Sequence, residues 1–393
     1  MNVFIVYSSS FIVNLRSQYP IEKITNNMEE QEEQKDQVAE TPFQCRHTPE
    51  FPMILAKLGC TVALSTFQAG KVILLSATPE GKLIQLIRSF KKPMGMSLRG
   101  EQILLATANE VMLFKNSREL AKYYPKARDT YDAMFMPRVS FYSGFLDLHD
   151  IAFGSDGIYA VNTLFSCLIK VDAQYSFTPI WSPPFITKLA SEDRCHLNGM
   201  AMENGKPAYI TAFGMGDTPR SWKSNLMETG FLMRVADNQI IADGLAMPHS
   251  PRLHGGYIYV LLSGTGEIIR IKTETGVRET VCTLDGFVRG MDFYGEFLFV
   301  GLSKIRQSSR AFGELPIADR TKYPGMAVVH LPTKTLVALA EYQTALEEIY
   351  DVCVLPNMRR ANILNTEKPE YLMGLHTPQT TYWARKDEKP PVA

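Results

Sequence analysis

The stretch His149-Asp150-Ile151-Ala152-Phe153 is one of six similar strand openings in the chain, and this repeat decides the fold. In each copy the third and fifth residues are apolar, the second is Gly, Asp or Ser, and the first is in most copies polar. The other five copies begin at Met94, Asn198, His249, Arg289 and Tyr350. Polar groups therefore recur at one place in a unit of about 40 to 60 residues, which is typical of a repeat architecture.

A second short strand follows most openings after a turn, as Ile158–Asn162 follows His149. These strands are rich in β-branched and aromatic residues and are bounded by Gly, Pro and Asn, so each unit is predicted to be an antiparallel meander. One meander cannot bury both of its faces, whereas several arranged radially bury each against its neighbour. The sequence therefore predicts an all-β protein, a six-bladed β-propeller.

The two ends of the chain carry incomplete units. Residues 62–66 and 71–76 resemble strands without an opening, and the opening at Tyr350 is followed by little obvious strand. We predict that the N-terminal strands complete the sheet begun by the C-terminal strand, which closes the ring. The expected organisation is a disordered or poorly ordered leader over residues 1–45, the propeller over 46–364 and a C-terminal extension over 365–393.

Composition excludes several classes of function. Lysine plus arginine equals aspartate plus glutamate at 41 each, so the overall charge favours neither nucleic acid nor a membrane surface as a partner. The chain contains no uninterrupted apolar run long enough to span a bilayer. Its six cysteines have no CxxC spacing, which indicates reduced thiols and a cytoplasmic protein.

The first residue of each opening begins an innermost strand, so these side chains are expected to meet at one mouth of the central channel. Imidazole, amide, guanidinium, phenol and carboxylate groups together form what a polar ligand site requires. The ligand-binding residues predicted for this mouth are Asn198, Arg252, Arg289 and Tyr350.

Three histidines of neighbouring units, His149, His196 and His249, are predicted to bind a divalent metal ion. Neutral imidazoles suit zinc, iron, copper or manganese, and three protein ligands with one open position are usual in catalytic metal sites. Glu348 or Asp351 is the predicted catalytic carboxylate, which binds the metal or acts as general base.

The sequence leaves the metal open. A hard ion such as calcium would instead favour the oxygen ligands of Asp150, Asn198, Asp351 and Glu348.

Two functions of different classes fit these residues. The first is a metal-dependent or polar-pocket enzyme of hydrolase or lyase type that acts on a small molecule or peptide side chain, with Arg252 and Arg289 orienting an anionic group. The second is a non-catalytic propeller scaffold that binds a protein or peptide partner through surface loops such as 214–226 and 305–322. In that case the polar residues at the channel mouth serve only to stabilise the fold.

Five segments resemble the signature segments of a conserved-hypothetical, domain-of-unknown-function family. They are His196–Ala201, Met247–Arg252, Leu262–Glu267, Phe287–Met291 and Gly301–Lys304. The similarity spans about residues 61–360, which implies an intact domain and a propeller architecture but no reaction. More distantly, the layout is similar to six-bladed propellers of the gluconolactonase and strictosidine-synthase type, which place a metal or polar site at the channel mouth. Because their motifs are not matched residue by residue, this second likeness extends to the fold alone.

Overall fold

Six small sheets make up the computed structural model, which describes residues 42–305, 310–313 and 315–384. Residues 1–41 of the expected leader and residues 385–393 of the expected extension lie outside this part. The innermost strand of every sheet is one of the six openings, and these six strands contact one another in a closed ring. The protein is therefore a six-bladed β-propeller, as predicted.

We number the blades along the chain and give their strands from the axis outward. Blade 1 contains Asp351–Leu355, Thr61–Thr66, Lys71–Ala77 and Leu83–Ser89; blade 2 contains Met96–Arg99, Gln102–Ala106, Glu110–Asn116, Ala133–Tyr142 and Ala361–Ile363; blade 3 contains Leu148–Phe153, Ile158–Asn162, Cys167–Lys170 and Thr178–Trp181. Blade 4 contains Leu197–Glu203, Lys206–Ala212, Gly230–Arg234 and Ile240–Leu245; blade 5 contains Pro248–His254, Tyr257–Leu262, Glu267–Lys272 and Arg278–Thr283; blade 6 contains Phe287–Tyr294, Phe297–Ser303, Gly325–His330, Thr335–Tyr342 and Cys45–His47.

Helices are few and short in the described residues. The α-helices are Glu50–Leu58, Arg118–Lys122, Arg310–Gly313 and Glu370–Met373, and the 3₁₀ helices are Ser221–Ser224 and Ala318–Arg320. A separate hairpin pairs Gly374–His376 with Thr381–Trp383. Within the described ranges, no helix has the length and apolar character needed to cross a membrane.

Blade 1 closes the ring. Its innermost strand, Asp351–Leu355, comes from the C-terminal part of the chain and pairs antiparallel with Thr61–Thr66 from the N-terminal part. The pairing of N- and C-terminal strands is therefore confirmed. Two further strands fasten the ends: Cys45–His47 joins the outer edge of blade 6, and Ala361–Ile363 runs parallel to the outer strand of blade 2.

Apolar residues fill the space between neighbouring blades, because strands in the inner part of a blade bury both of their faces. In the strand Lys71–Ala77, Val72 and Leu74 pack against blade 2, whereas Ile73 and Leu75 pack against blade 6. Successive side chains of a strand point to opposite faces, so a run of apolar residues serves two interfaces at once.

The second residue of each opening is restricted because the inner strands approach one another closely. On even-numbered blades it is glycine. A Cβ added to Gly95 would lie 3.0 Å from Cα of Asp150, and one added to Gly290 would lie 2.6 Å from Cα of Asp351. A Cβ added to Gly199 would lie 2.3 Å from Cδ of Pro251. A larger residue at Gly199 or Gly290 would force neighbouring atoms to move, and one at Gly95 would be unusually tight.

On odd-numbered blades the second residue carries a polar side chain that bonds to the next blade. Asp150 accepts a hydrogen bond from the backbone N–H of Met200 (3.0 Å), and Asp351 accepts one from Met96 (2.8 Å). Ser250 accepts one from the N–H of residue 290 in the same way (3.0 Å). Close backbone contact and side-chain bonding therefore alternate around the axis.

Gly290→Ala tests the close approach. Alanine at this position must adopt a φ of +73° and place its Cβ 2.6 Å from Cα of Asp351. We expect the free energy of unfolding, measured by urea denaturation, to fall by ~3 kcal/mol or more. Gly256→Ala is the matched control, because its φ is +79° but nothing lies within 4 Å of the added Cβ. It should lose only about 1 kcal/mol, and equal losses in the two variants would contradict the packing argument.

Candidate functional site

A cavity of about 380 Å³ lies at the end of the channel where the inner strands begin. Of the residues predicted for the channel mouth, it brings together six, namely His149, His196, His249, Arg289, Glu348 and Tyr350. The rings of His149 and His196 are 5.0 Å apart, and those of His149 and Tyr350 are 5.5 Å apart. The repeat therefore places side chains from distant parts of the sequence around one pocket.

Three predicted residues lie elsewhere. Arg252 lines a second cavity of about 370 Å³ together with Asp150, and Asp351 lies beside it, with Oδ1 4.0 Å from Nη2 of Arg252. Asn198 lines neither cavity and is buried, with its side-chain oxygen accepting a hydrogen bond from Thr211 Oγ1 (2.8 Å). Arg252 is three residues beyond His249 along an inner strand, and a rise of ~3.3 Å per residue carries it well down the channel.

A network of charged side chains centred on Arg252 lies at the second cavity. Nη1 of Arg252 lies 2.7 Å from Oδ2 of Asp150, and Nη2 lies 4.0 Å from Oδ1 of Asp351. Backbone N–H groups of Met96 and Val352 donate to the two oxygens of Asp351 (2.8 and 2.9 Å). Burial raises the pKa of Asp351 to about 7; the Arg252 charge opposes this rise and the Asp150 charge adds to it.

At the channel mouth, His149 bonds through Nδ1. This nitrogen lies 3.1 Å from the carbonyl oxygen of Asp147 and 2.8 Å from Oγ1 of Thr163, which in turn donates to the carbonyl oxygen of Leu197 in blade 4 (2.5 Å). The Thr163 hydroxyl therefore joins blade 3 to blade 4 and holds the imidazole at the same time.

His249 repeats this arrangement in blade 5. Its Nδ1 lies 3.2 Å from the carbonyl oxygen of Met247 and 2.7 Å from Oγ of Ser263, and Ser263 donates to the carbonyl oxygen of Val288 in blade 6 (2.6 Å). In both cases the hydroxyl residue follows its histidine by 14 positions. Sequence reasoning missed Thr163 and Ser263, although this constant spacing was a signal for them.

His196 has a different setting. Its Nδ1 lies 3.1 Å from both carboxylate oxygens of Asp193, and Oδ2 of Asp193 also accepts a hydrogen bond from Nε1 of Trp222. The imidazole packs against two aromatic rings, with centroids 4.3 Å from Trp222 and 4.5 Å from Phe213, and these two rings also contact each other. Trp222 belongs to the loop 214–226, so this loop forms part of the cavity wall.

Arg289 lies against the face of Tyr350, with its guanidinium carbon 3.5 Å from the ring centroid. Its Nη2 is buried and has no hydrogen-bond partner in the part of the chain that the structure describes. Burial, followed by the positive charge of Arg289, lowers the pKa of both His149 and His249 well below the usual value. Two neutral imidazoles therefore flank a guanidinium.

One feature of the pocket favours the metal ion predicted from the histidines, and two features disfavour it. Histidines that bind metals commonly donate their second ring nitrogen to a carbonyl or carboxylate, as the three Nδ1 atoms are placed to do here. However, the described residues contain no group of three or more His, Cys, Asp or Glu side chains placed to hold a metal ion. The positive charge of Arg289 also disfavours a second cation nearby. The metal stays a prediction.

Fold and pocket together define a six-bladed β-propeller with a polar cavity at one end of its axis. The chain belongs to the family described as domain of unknown function DUF4915, whose model matches residues 49–364. This confirms the resemblance to a family of unknown function. No curated protein matches the chain. A chain in a solved structure of a nidogen/laminin complex is similar at 10% identity and a TM-score of 0.47, over 76% of this chain and 99% of that one.

Elemental analysis of protein purified without a histidine tag checks the metal prediction. If His149, His196 and His249 hold an ion, the wild-type protein contains about one equivalent, and His149→Ala and His249→Ala contain none, because each variant removes a ligand. Wild-type protein without bound metal overturns the prediction.

Asp351→Asn tests the electrostatics of the charge network around Arg252. The carboxyl ionises near pH 3.8 in the unfolded chain and near pH 7 in the folded one. Between these values the folded protein holds this proton more tightly than the unfolded chain, so the contribution of Asp351 to the free energy of unfolding falls as pH rises. Neutral His149 and His249 act in the opposite direction, because the unfolded chain binds their protons more tightly. The variant must therefore be compared with the wild type at each pH.

By urea denaturation, the free energy of unfolding of Asp351→Asn relative to the wild type should increase between pH 5 and pH 8 by at least ~1 kcal/mol. A relative value that is constant with pH contradicts the raised pKa of Asp351.

Proposed function

We propose that the protein binds an anionic small molecule, or an acidic peptide side chain, in the cavity at the channel mouth. Arg289 supplies the positive charge that pairs with the carboxylate or phosphate of the ligand. This role agrees with the prediction that Arg289 orients an anionic group, and it moves that role away from Arg252, which is already paired with Asp150.

The observation that carries the proposal is the bonding state of Arg289. A guanidinium has five N–H donors in a fixed fork that matches carboxylates and phosphates. Tyr350 supports this group from one side, yet none of the described residues forms a hydrogen bond or ion pair with it. Buried donors without partners destabilise a protein, so a guanidinium left in this state inside a cavity favours an anionic ligand.

The walls of the cavity support a ligand with an organic body. Aromatic side chains line it on several sides, including Phe213, Trp222 and Phe287. Few converging polar groups set among aromatic walls are typical of small-molecule sites. The predicted catalytic residue Glu348 lines the same cavity, with Oε1 accepting a hydrogen bond from the backbone N–H of Gln68 (2.9 Å). Its action on the ligand stays a prediction.

Arg289→Met tests the proposal, because methionine keeps part of the apolar stem and removes the charge. A panel of small carboxylates, phosphate esters and acidic dipeptides is screened by ligand-observed NMR, and the tightest compound is measured by calorimetry. We expect Arg289→Met to bind it about 10- to 100-fold more weakly, which is the usual effect of losing a charged hydrogen bond.

Arg234→Met is the matched control for net charge, since Arg234 pairs with Asp237 away from the cavity. It should bind the same compound as tightly as the wild type. Equal affinities of Arg289→Met and the wild type overturn the proposal. If no compound binds and substitutions at His149 or Arg289 mainly lower the melting temperature, the scaffold for a protein or peptide partner is favoured instead.

A further inference from the structure

The protonation of the two axial histidines follows from their neighbours. A carbonyl oxygen cannot donate a hydrogen bond, and Nδ1 of His149 lies 3.1 Å from the carbonyl oxygen of Asp147. The single hydroxyl proton of Thr163 is directed to the carbonyl oxygen of Leu197, so this hydroxyl can only accept from the imidazole. Both contacts require the proton on Nδ1.

His249 has equivalent neighbours. Nδ1 faces the carbonyl oxygen of Met247 and the hydroxyl of Ser263, whose own proton goes to the carbonyl oxygen of Val288. Two independent acceptors again fix the proton on Nδ1. Both imidazoles are buried and Arg289 lines the same cavity, so a second proton on either ring is disfavoured.

Each ring therefore has one remaining polar atom, a bare Nε2 that accepts hydrogen bonds. Nδ1 of His149 and of His249 is turned toward the blade, and both rings line the cavity. Nowhere in the described chain does a residue hydrogen-bond either Nε2. The cavity thus presents two acceptors and, from Arg289, a set of positively charged donors.

We infer that the ligand carries hydroxyl groups next to its anionic group: a hydroxylated carboxylate or a polyol phosphate. This inference rests on the proposed function and specifies the ligand class. The guanidinium of Arg289 pairs with the anion, and hydroxyl groups of the ligand donate to Nε2 of His149 and His249. A neutral hydroxyl suits these positions better than an ammonium group, because the charge of Arg289 repels a second cation.

Thr163 and Ser263 are positioning residues in this scheme. Each accepts the Nδ1 proton of its histidine and so keeps Nε2 unprotonated for the ligand. A ligand without hydroxyl groups would leave both Nε2 atoms desolvated and without partners, which is the usual basis of strong discrimination between otherwise similar ligands.

Four probes test the inference by calorimetry or NMR titration. Glycerate and propionate share a three-carbon carboxylate and differ by two hydroxyl groups, and glycerol phosphate and propyl phosphate form the same comparison for a phosphate. We expect the hydroxylated member of at least one pair to bind about tenfold or more tightly than its partner. The pair that binds also identifies the anion.

Variants separate the histidines from the anion site. In His249→Phe the preference for the hydroxylated probe should fall several-fold, whereas affinity for propionate or propyl phosphate should not fall, because the variant has one fewer acceptor to leave without a partner. Ser263→Ala provides a milder test if His249→Phe does not fold, because it keeps the imidazole and removes the stronger acceptor of its Nδ1 proton. A partial loss of the same preference is expected.

Ser65→Ala is the matched control. Ser65 Oγ donates to the carbonyl oxygen of Met94 in the next blade (2.6 Å), as Ser263 does for Val288, but no histidine bonds to it. This variant should keep the full preference. If both members of each pair bind equally and still require Arg289, the inference is wrong and the proposed function stands. If none of the probes binds, and the broader panel fails as well, the proposed function is wrong.

Discussion

The structure depends on the close approach of six inner strands around one axis. Glycine at Gly95, Gly199 and Gly290 allows neighbouring backbones to touch, and a polar side chain on each intervening blade bonds to the N–H of the next strand. The second residue of each opening is therefore restricted by space on even-numbered blades and by hydrogen bonding on odd-numbered blades. The ring holds the first residues of the strands at fixed distances, so the geometry of the mouth follows from the packing of the axis.

A second set of contacts links the fold directly to the chemistry of the pocket. Hydroxyl groups of Ser65, Thr163 and Ser263 donate to a backbone carbonyl of the following blade, and in two of these three cases the same oxygen accepts the Nδ1 proton of a histidine. One small side chain thus joins two blades and sets the tautomer of an imidazole. Stability and ligand recognition are for this reason coupled at Thr163 and Ser263.

The two arginines of the channel illustrate how context decides the role of a charge. Arg252 is buried beside Asp150 and Asp351, which satisfy its guanidinium and make it part of the structural ring. Arg289 rests on an aromatic face and lines a cavity with neutral histidines. The first charge is compensated within the protein, whereas the second is available to an anionic ligand.

The sequence by itself determined the propeller, its six inner strands and the closure of blade 1, because a recurring pattern of small and apolar residues reports local crowding and burial. It also brought His149, His249, Arg289 and Tyr350 to one mouth, since equivalent positions of a repeat occupy equivalent places. Only the tertiary structure decided that Arg252 lies in a separate cavity with Asp351 buried beside it, that Asn198 is buried, and that Asp193, Thr163 and Ser263 orient the imidazoles. Packing between separate sheets sets the depth of a side chain along the channel and the partner of each hydroxyl in the next blade. The sequence pattern does not specify this packing, because it reports only local crowding and burial.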